Sequence, residues 1–171
     1  MEKRVVITGI GAITPIGKNV EEMWQGIKNK ECGIDKISLF DATGYKTSLD
    51  AEVKEYDASK YFDVKQARRL DRSSQFAIIA AKEAFEDSKI SSENTDLERV
   101  GIFVSSGIGG LKTIQEQSET NCLKSHTRVS PMFIPMSSAN MPAGNISIEL
   151  GLKGESISIV TACASSTHAI G

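Results

Sequence analysis

The stretch from Ser156 to Gly171, SISIVTACASSTHAIG, holds the residues best suited to do chemistry. It reads as a short strand, a cysteine at a sharp corner, and the start of a helix made of small residues. A cysteine in the first turn of a helix meets the positive end of the helix dipole and unpaired backbone N–H groups. Such a position favours thiolate over thiol, and the thiolate is the nucleophile. Cys163 is therefore the candidate nucleophile. Ala162, Ala164, Ser165, Ser166, Ala169 and Gly171 surround it and His168. Small side chains let a helix pack closely on all sides, so this helix is expected to be buried. A strand that turns into a helix with the nucleophile at the corner has the layout of an acyl-transfer elbow, with Cys in place of Ser. A buried, inert cysteine in a small-residue helix has the same local pattern. The helix reaches Gly171 after about two turns without a capping or stop signal.

A cysteine nucleophile in carbon chemistry usually works with a histidine base. The chain has two histidines, His126 and His168. On a helix His168 stands about 140° around from Cys163, at roughly 100° per residue, and farther from the N-terminus. It is expected in the core or in a second layer behind the site. His126 lies in the polar run Lys124–Arg128 and is expected at the surface. Neither is placed as the base, so the chemistry of Cys163 is incomplete within these residues.

Two glycine clusters follow apolar runs. Gly9-Ile10-Gly11 invites a dinucleotide reading, but the fingerprint needs a third glycine where Thr14 stands, and Pro15 and Gly17 precede any helix. Gly107-Ile108-Gly109-Gly110 is either a plain strand-to-helix turn or one wall of the cavity that Cys163 faces, with Ile108 as its lining.

The elements that would position these residues alternate as in an α/β protein. Arg4–Thr8 and Arg99–Ser105 are nearly continuous apolar, β-branched runs, as in strands buried on both faces. Ser156–Val160 alternates, which suits an edge strand. Asn19 and Glu22 have the spacing of a capping box, and Val20, Trp24 and Ile27 mark the apolar face that follows. Asp71 or Ser73 caps a helix reaching about Ser88, with Phe76, Ile79, Ala80 and Ala84 inward. Residues 111–121 form an amphipathic helix. Pro131 and Pro135 bracket an extended loop, and Ser137 or Ser138 opens a helix that Gly151 ends. Residues 31–63 carry no long period; a short strand fits within Lys46–Lys54.

Composition sets wide bounds. The 171 residues suffice for a domain with a real core. With 40% hydrophobic residues, 25% charged and a net charge of -2, nothing points to nucleic acid. Met1 leads almost at once into Arg4–Thr8, leaving no room for a leader peptide, and no apolar run is long enough to span a membrane. Cys32, Cys122 and Cys163 lack metal-ligand spacing and read as reduced thiols of a cytoplasmic protein. Neither metal nor cofactor is expected.

VVITGIGAITPIG near the N-terminus, RRLDRSSQFAIIAAKEA in the middle and TACASSTHAIG at the end resemble the β-ketoacyl-acyl carrier protein synthases, in particular the type II elongating enzymes. The resemblance runs along the whole chain. It implies a thiolase-like α/β fold, of which residues 1–171 match an incomplete first βαβαβαββ half: about three parallel strands with helices on both faces, and an insertion at about 31–95. It implies that Cys163 is acylated by acyl carrier protein and then condensed with malonyl-acyl carrier protein. Gly107, Ile108, Phe133 and Ala162 correspond to substrate-pocket positions, Phe133 reaching in from the partner of a homodimer. Lys65, Arg68, Arg69 and Arg128 correspond to a basic patch for the acidic carrier protein, with Thr127 standing where a basic residue is commoner. A charge run that simply faces water explains Lys65–Arg72 without a partner. The family's two catalytic histidines, its lysine and its second oxyanion donor lie in the half not matched, so these residues alone are expected to be inactive. A ketosynthase of aromatic polyketide synthesis shares all three motifs. A non-catalytic, dimerising fragment is the reading outside enzymes.

Overall fold

The computed structural model describes residues 4–171. In chain order the elements are α1 (Val20–Lys28), β1 (Asp35–Lys36), β2 (Leu49–Asp50), α2 (Val64–Ala67), α3 (Arg72–Ser88) and β3 (Ile102–Val104). There follow α4 (Leu111–Leu123), α5 (Phe133–Ser137), α6 (Met141–Leu150), β4 (Ser156–Ser158) and α7 (Ser165–Ile170). Two compact units result. The first runs to Asp57 and takes in Ile79–Lys89; the second comprises Ala58–Ile78 and Ile90–Gly171.

In the first unit α1 starts as its sequence predicts. The Asn19 side chain accepts the Glu22 N–H at 2.8 Å. Glu22 reaches back one residue further than the standard box and accepts the Lys18 N–H at 2.7 Å. The expected apolar face stays half open, with Trp24 and Ile27 exposed. The buried residue of α1 is Gly26, where a Cβ would lie 2.8 Å from the Ile16 carbonyl. Close backbone approach, rather than the apolar stripe, seats this helix. The same holds for Gly9 and Gly11: an added Cβ would stand 2.1 Å from the Ala84 carbonyl and 1.9 Å from that of Ala80. Glu83 accepts the Ala12 and Val20 N–H groups at 2.9 and 2.8 Å. These glycines let a chain segment lie flat on the small-residue face of a helix.

Arg4–Thr8 forms no strand. Its Val5 and Ile7 side chains are 94% and 84% exposed. An apolar run becomes a strand only when a neighbour pairs with it, and no described segment does so. Residues 31–57 are mostly loop, as expected. The short pair β1 and β2 is antiparallel, and the buried Glu52 gathers the N–H groups of Ser38 and Leu39 and the Ser38 hydroxyl.

In the second unit Phe62, Ile78, Ile102, Ala143, Ile146 and Leu152 form the core. Helix α6 packs against both β3 and β4. It ends, as predicted, at Gly151, which takes φ +66°. It begins at Met141 with Pro142 in its first turn, later than Ser137 or Ser138. The intervening residues form α5, so the loop expected between Pro131 and Pro135 is in fact helical at its end. Proline at this place blocks no ladder and is tolerated near a helix start.

Candidate active site at the ends of two parallel strands

Strands β3 and β4 are parallel, with Ile102, Phe103 and Val104 opposite Ser156, Ile157 and Ser158. Both chains therefore leave the sheet at the same end. The turn 105–110 follows β3, and the corner Thr161–Ala164 follows β4. In open parallel sheets the crevice beyond the carboxyl ends of the strands is where ligands bind.

The corner is strained and clamped. Ala162 has φ +51°, in the left-handed region that a side chain disfavours by about 1–3 kcal/mol. Ser165, only 4% exposed, holds it from both sides. Its Oγ accepts the Thr161 N–H at 2.8 Å and donates to the Ala162 carbonyl at 2.7 Å. His168 adds a brace, its Nδ1 lying 2.8 Å from the Thr161 hydroxyl. Residues Ala162–Ala164 form a 3-10 turn, so Cys163 sits just before the α-helix rather than within its first turn. Its side chain is exposed.

One expectation is corrected here and another narrowed. The small-residue helix α7 is not enclosed: among its described residues Ser165 alone is buried. Small side chains permit packing on all sides but do not supply the neighbours. His168 is exposed, so it is no core residue; of the two expected places it takes the second layer, its Nδ1 held against the Thr161 hydroxyl behind the corner. His126 is exposed, as expected.

The turn after β3 is fixed by close contacts. Gly109 has φ +86°, and a Cβ on it would lie 2.4 Å from the Ser137 carbonyl. Its N–H donates to Ser106 Oγ at 2.9 Å, and the Gly110 N–H donates to the Ser137 carbonyl at 2.9 Å. The Ser158 hydroxyl donates to the Ala139 carbonyl at 3.0 Å, tying β4 to the same segment. A Cβ on Gly107 would meet nothing within 4 Å, and Ile108 stands 63% exposed at the apex. The structure thus brings Gly107, Ile108, Ala162 and Cys163 to one end of the sheet. Phe133 lies on α5, half-buried.

The sequence offers Asp71 or Ser73 as the cap of α3; Asp71 takes that place and has a second task the sequence does not reveal. The carboxylate, 5% exposed, accepts the Ser73 N–H and hydroxyl at 2.8 Å each. Its other oxygen accepts the Thr113 hydroxyl at 2.6 Å and the Thr113 N–H at 3.2 Å. Burial pushes this carboxyl up; the Thr113 hydroxyl, then the bonds from Ser73 and the Thr113 N–H, outweigh it and hold Asp71 below the usual aspartate range.

Lys65, Arg68 and Arg69 are exposed on α2 and the residues after it. Lys65 and Arg69 rim a groove of about 660 Å³ floored by Leu70, Ile78, Met132 and Met141. Arg128 is exposed on a separate 3-10 turn, His126–Arg128. Among the described residues no group of three His, Cys, Asp or Glu side chains is placed to hold a metal ion. No helix there is long and apolar enough to cross a membrane.

A cysteine elbow at the carboxyl ends of parallel strands is the layout of an acyl-transfer fold, and comparison with known proteins makes the class specific. The profile of the family described as beta-ketoacyl synthase, N-terminal domain, matches residues 2–171. The chain belongs to the β-ketoacyl synthase family. It is 42% identical over 170 residues to 3-oxoacyl-(acyl-carrier-protein) synthase 2 of Synechocystis, covering 99% of this chain and 41% of that protein. It therefore spans about two fifths of the length of the curated relatives it matches. A β-ketoacyl synthase from Burkholderia phymatum superposes with a TM-score of 0.81 at 24% identity, over 99% of this chain and 42% of the other. A type II polyketide ketosynthase solved in complex with its acyl-carrier protein superposes at 0.79 and 25% identity, over 99% and 45%. The fold is thiolase-like α/β, with two of the three expected parallel strands paired among the described residues.

Proposed function

We propose that the full-length protein is a β-ketoacyl-acyl carrier protein synthase of the elongating type, with Cys163 as its nucleophile. The observation that carries this reading is the clamped corner: an exposed thiol presented by a left-handed Ala162 beyond two parallel strands. Cys163 Sγ attacks the thioester of an acylated carrier protein, and the carrier's thiol leaves. Malonyl-carrier protein then loses CO₂, and the resulting carbanion attacks the acyl-Cys163 thioester. The new C–C bond extends the chain by two carbons and returns the Cys163 thiolate. The backbone N–H of Cys163 is one donor to the oxyanion, an interaction typically worth about 10²–10³ in rate. The decarboxylating histidines belong by resemblance to the part of the family fold beyond residues 1–171, with 31–95 as an insertion in the first half.

Identity of 42% with the synthase 2 relative, against 25% with the polyketide ketosynthase, supports fatty-acid elongation over polyketide synthesis. The pocket wall is Gly107, Ile108 and Ala162, with Phe133 contributed by the partner of a homodimer. Support for that dimer comes from β4, whose Ile157 is exposed and whose far edge has no strand partner among the described residues. Lys65, Arg68, Arg69 and Arg128 receive the carrier protein, and the enzyme works in the cytoplasm. Release of CO₂ from malonyl-carrier protein, coupled to formation of the longer β-ketoacyl product, tests the reading: the full-length protein carries it out and its Cys163→Ala variant does not. Product from the variant at the parent rate contradicts it.

A further inference from the structure

The N-cap position of helix α4 is Gly110, which has no side chain to cap the helix. The first turn of a helix leaves several N–H groups without partners, and a Ser, Thr, Asp or Asn at the N-cap normally supplies an oxygen. Here the oxygen comes from Asp71, a residue far away in sequence. Its Oδ2 takes both donors of Thr113 in that first turn, while its Oδ1 caps α3 through Ser73. One buried carboxylate thus joins the positive ends of two helices.

Gly110 has to be glycine for this to happen. A Cβ there would lie 2.8 Å from Asp71 Cγ, 2.9 Å from its Oδ2 and 2.6 Å from the Met136 carbonyl. The turn is therefore gripped on one side by Asp71 and on the other by the Ser137 carbonyl. Between these grips and the end of β3 stand Gly107 and Ile108, spanned by the bond from the Gly109 N–H to Ser106 Oγ, with the Ile108 side chain 63% exposed at the apex.

We propose that Asp71 is a positioning residue that acts through Thr113: it fixes where the 105–110 turn stands, and so how far Ile108 intrudes on the acyl chain and which chain lengths are accepted. This rests on the reading of Gly107 and Ile108 as pocket wall. Asp71 touches no reacting atom. Its effect falls on acyl-length selectivity, because the corner at Cys163 has its own clamp in Ser165 and His168.

The test uses the full-length gene product and four variants. Thr113→Val removes the hydroxyl at nearly constant volume, Thr113→Ser restores it, Ser73→Ala loosens only the α3 side, and Ile108→Ala opens the wall directly. Two quantities are read: amide hydrogen exchange in peptides covering 105–113 against those covering 141–150, and the ratio of kcat/KM for long and short acyl-carrier substrates. Thr113→Val raises exchange in 105–113 about tenfold with 141–150 unchanged, as loss of a cap does. It also shifts the long-to-short ratio about fivefold, a change of pocket fit. Thr113→Ser and Ser73→Ala stay within about twofold of the parent ratio, which separates positioning from simple loss of stability. If Ile108→Ala shifts the ratio and Thr113→Val does not, the positioning role of Asp71 is refuted while the pocket reading stands. If Ile108→Ala leaves the ratio unchanged, the pocket reading fails, and this inference fails with it.

Discussion

Thr161 and Ser165 are joined across the nucleophile corner by an N–H···Oγ bond of 2.8 Å. The same Oγ donates to Ala162, so one buried hydroxyl spans the residue with the strained φ. Ser165→Ala leaves the Thr161 N–H and the Ala162 carbonyl without their partner. Loss of about 1–3 kcal/mol of stability follows from the unsatisfied groups. Thiol reactivity at Cys163 falls, because the corner is free to relax. Ala162→Gly relieves the left-handed strain and changes stability by less than about 1 kcal/mol. Denaturant melts beside iodoacetamide labelling rates check both variants; a Ser165→Ala protein with unchanged labelling at Cys163 counts against the clamp.

Acid weakens the Asp71 junction. Its folded pKa lies below the ordinary value near 3.8, so its contribution is complete above that value and is lost as pH falls through the folded one. Asp71→Asn removes the charge and turns a donor toward other donors, at a cost of about 1–3 kcal/mol at pH 7. The gap in Tm between parent and variant is therefore widest near neutrality and narrows below pH about 4. A gap that stays constant down to pH about 2 would show that the carboxylate charge is immaterial.

Two glycine substitutions of the same chemistry should have opposite signs. At Gly11 the new methyl meets the Ala80 carbonyl at 1.9 Å, and backbone cannot step aside cheaply. Gly11→Ala costs about 2 kcal/mol or more. A Cβ on Gly144, within α6, would meet nothing within 4 Å outside the helix's own backbone, so Gly144→Ala gains about 0.5–1 kcal/mol of helix propensity. Equilibrium unfolding of the two single variants decides this, and equal effects would mean that the contact at Gly11 is not what seats the segment.

Much of the fold is legible where the signal is local. The Asn19 cap, the Gly151 stop and strands β3 and β4 each depend on a few neighbouring residues. What misleads is pairing and burial at long range. The run Arg4–Thr8 has the residues of a buried strand, yet its conformation depends on a partner that no described segment provides. Helix α7 has the composition of a buried helix and lies exposed for the same reason. At the site, Cys163 and the Gly107–Gly110 turn are visible as motifs. The bond from Asp71 to Thr113 is not, since no periodicity links residues so far apart. The brace between His168 and Thr161 escapes because angular position on an ideal helix ignores the 3-10 turn that precedes it.

Reversal of charge at Arg68 and Arg69 should raise KM for the acyl carrier protein several-fold, leave kcat for a small acyl thioester unchanged, and flatten the salt dependence of the reaction. Exposed cationic groups facing an acidic partner mainly speed encounter and set orientation. Steady-state kinetics at low and high ionic strength measure this. Identical KM values in parent and double variant would move carrier docking away from α2.

In the proposed reaction Cys163 takes the acyl group. All three cysteines are exposed, so exposure alone does not single it out. Incubation of the full-length protein with an acylated carrier protein, followed by proteolysis and mass spectrometry, locates the thioester directly. One acyl group is expected on the peptide containing Cys163, released by hydroxylamine and absent from Cys163→Ala. An acyl group carried on Cys32 or Cys122, or acylation that persists in Cys163→Ala, would contradict it.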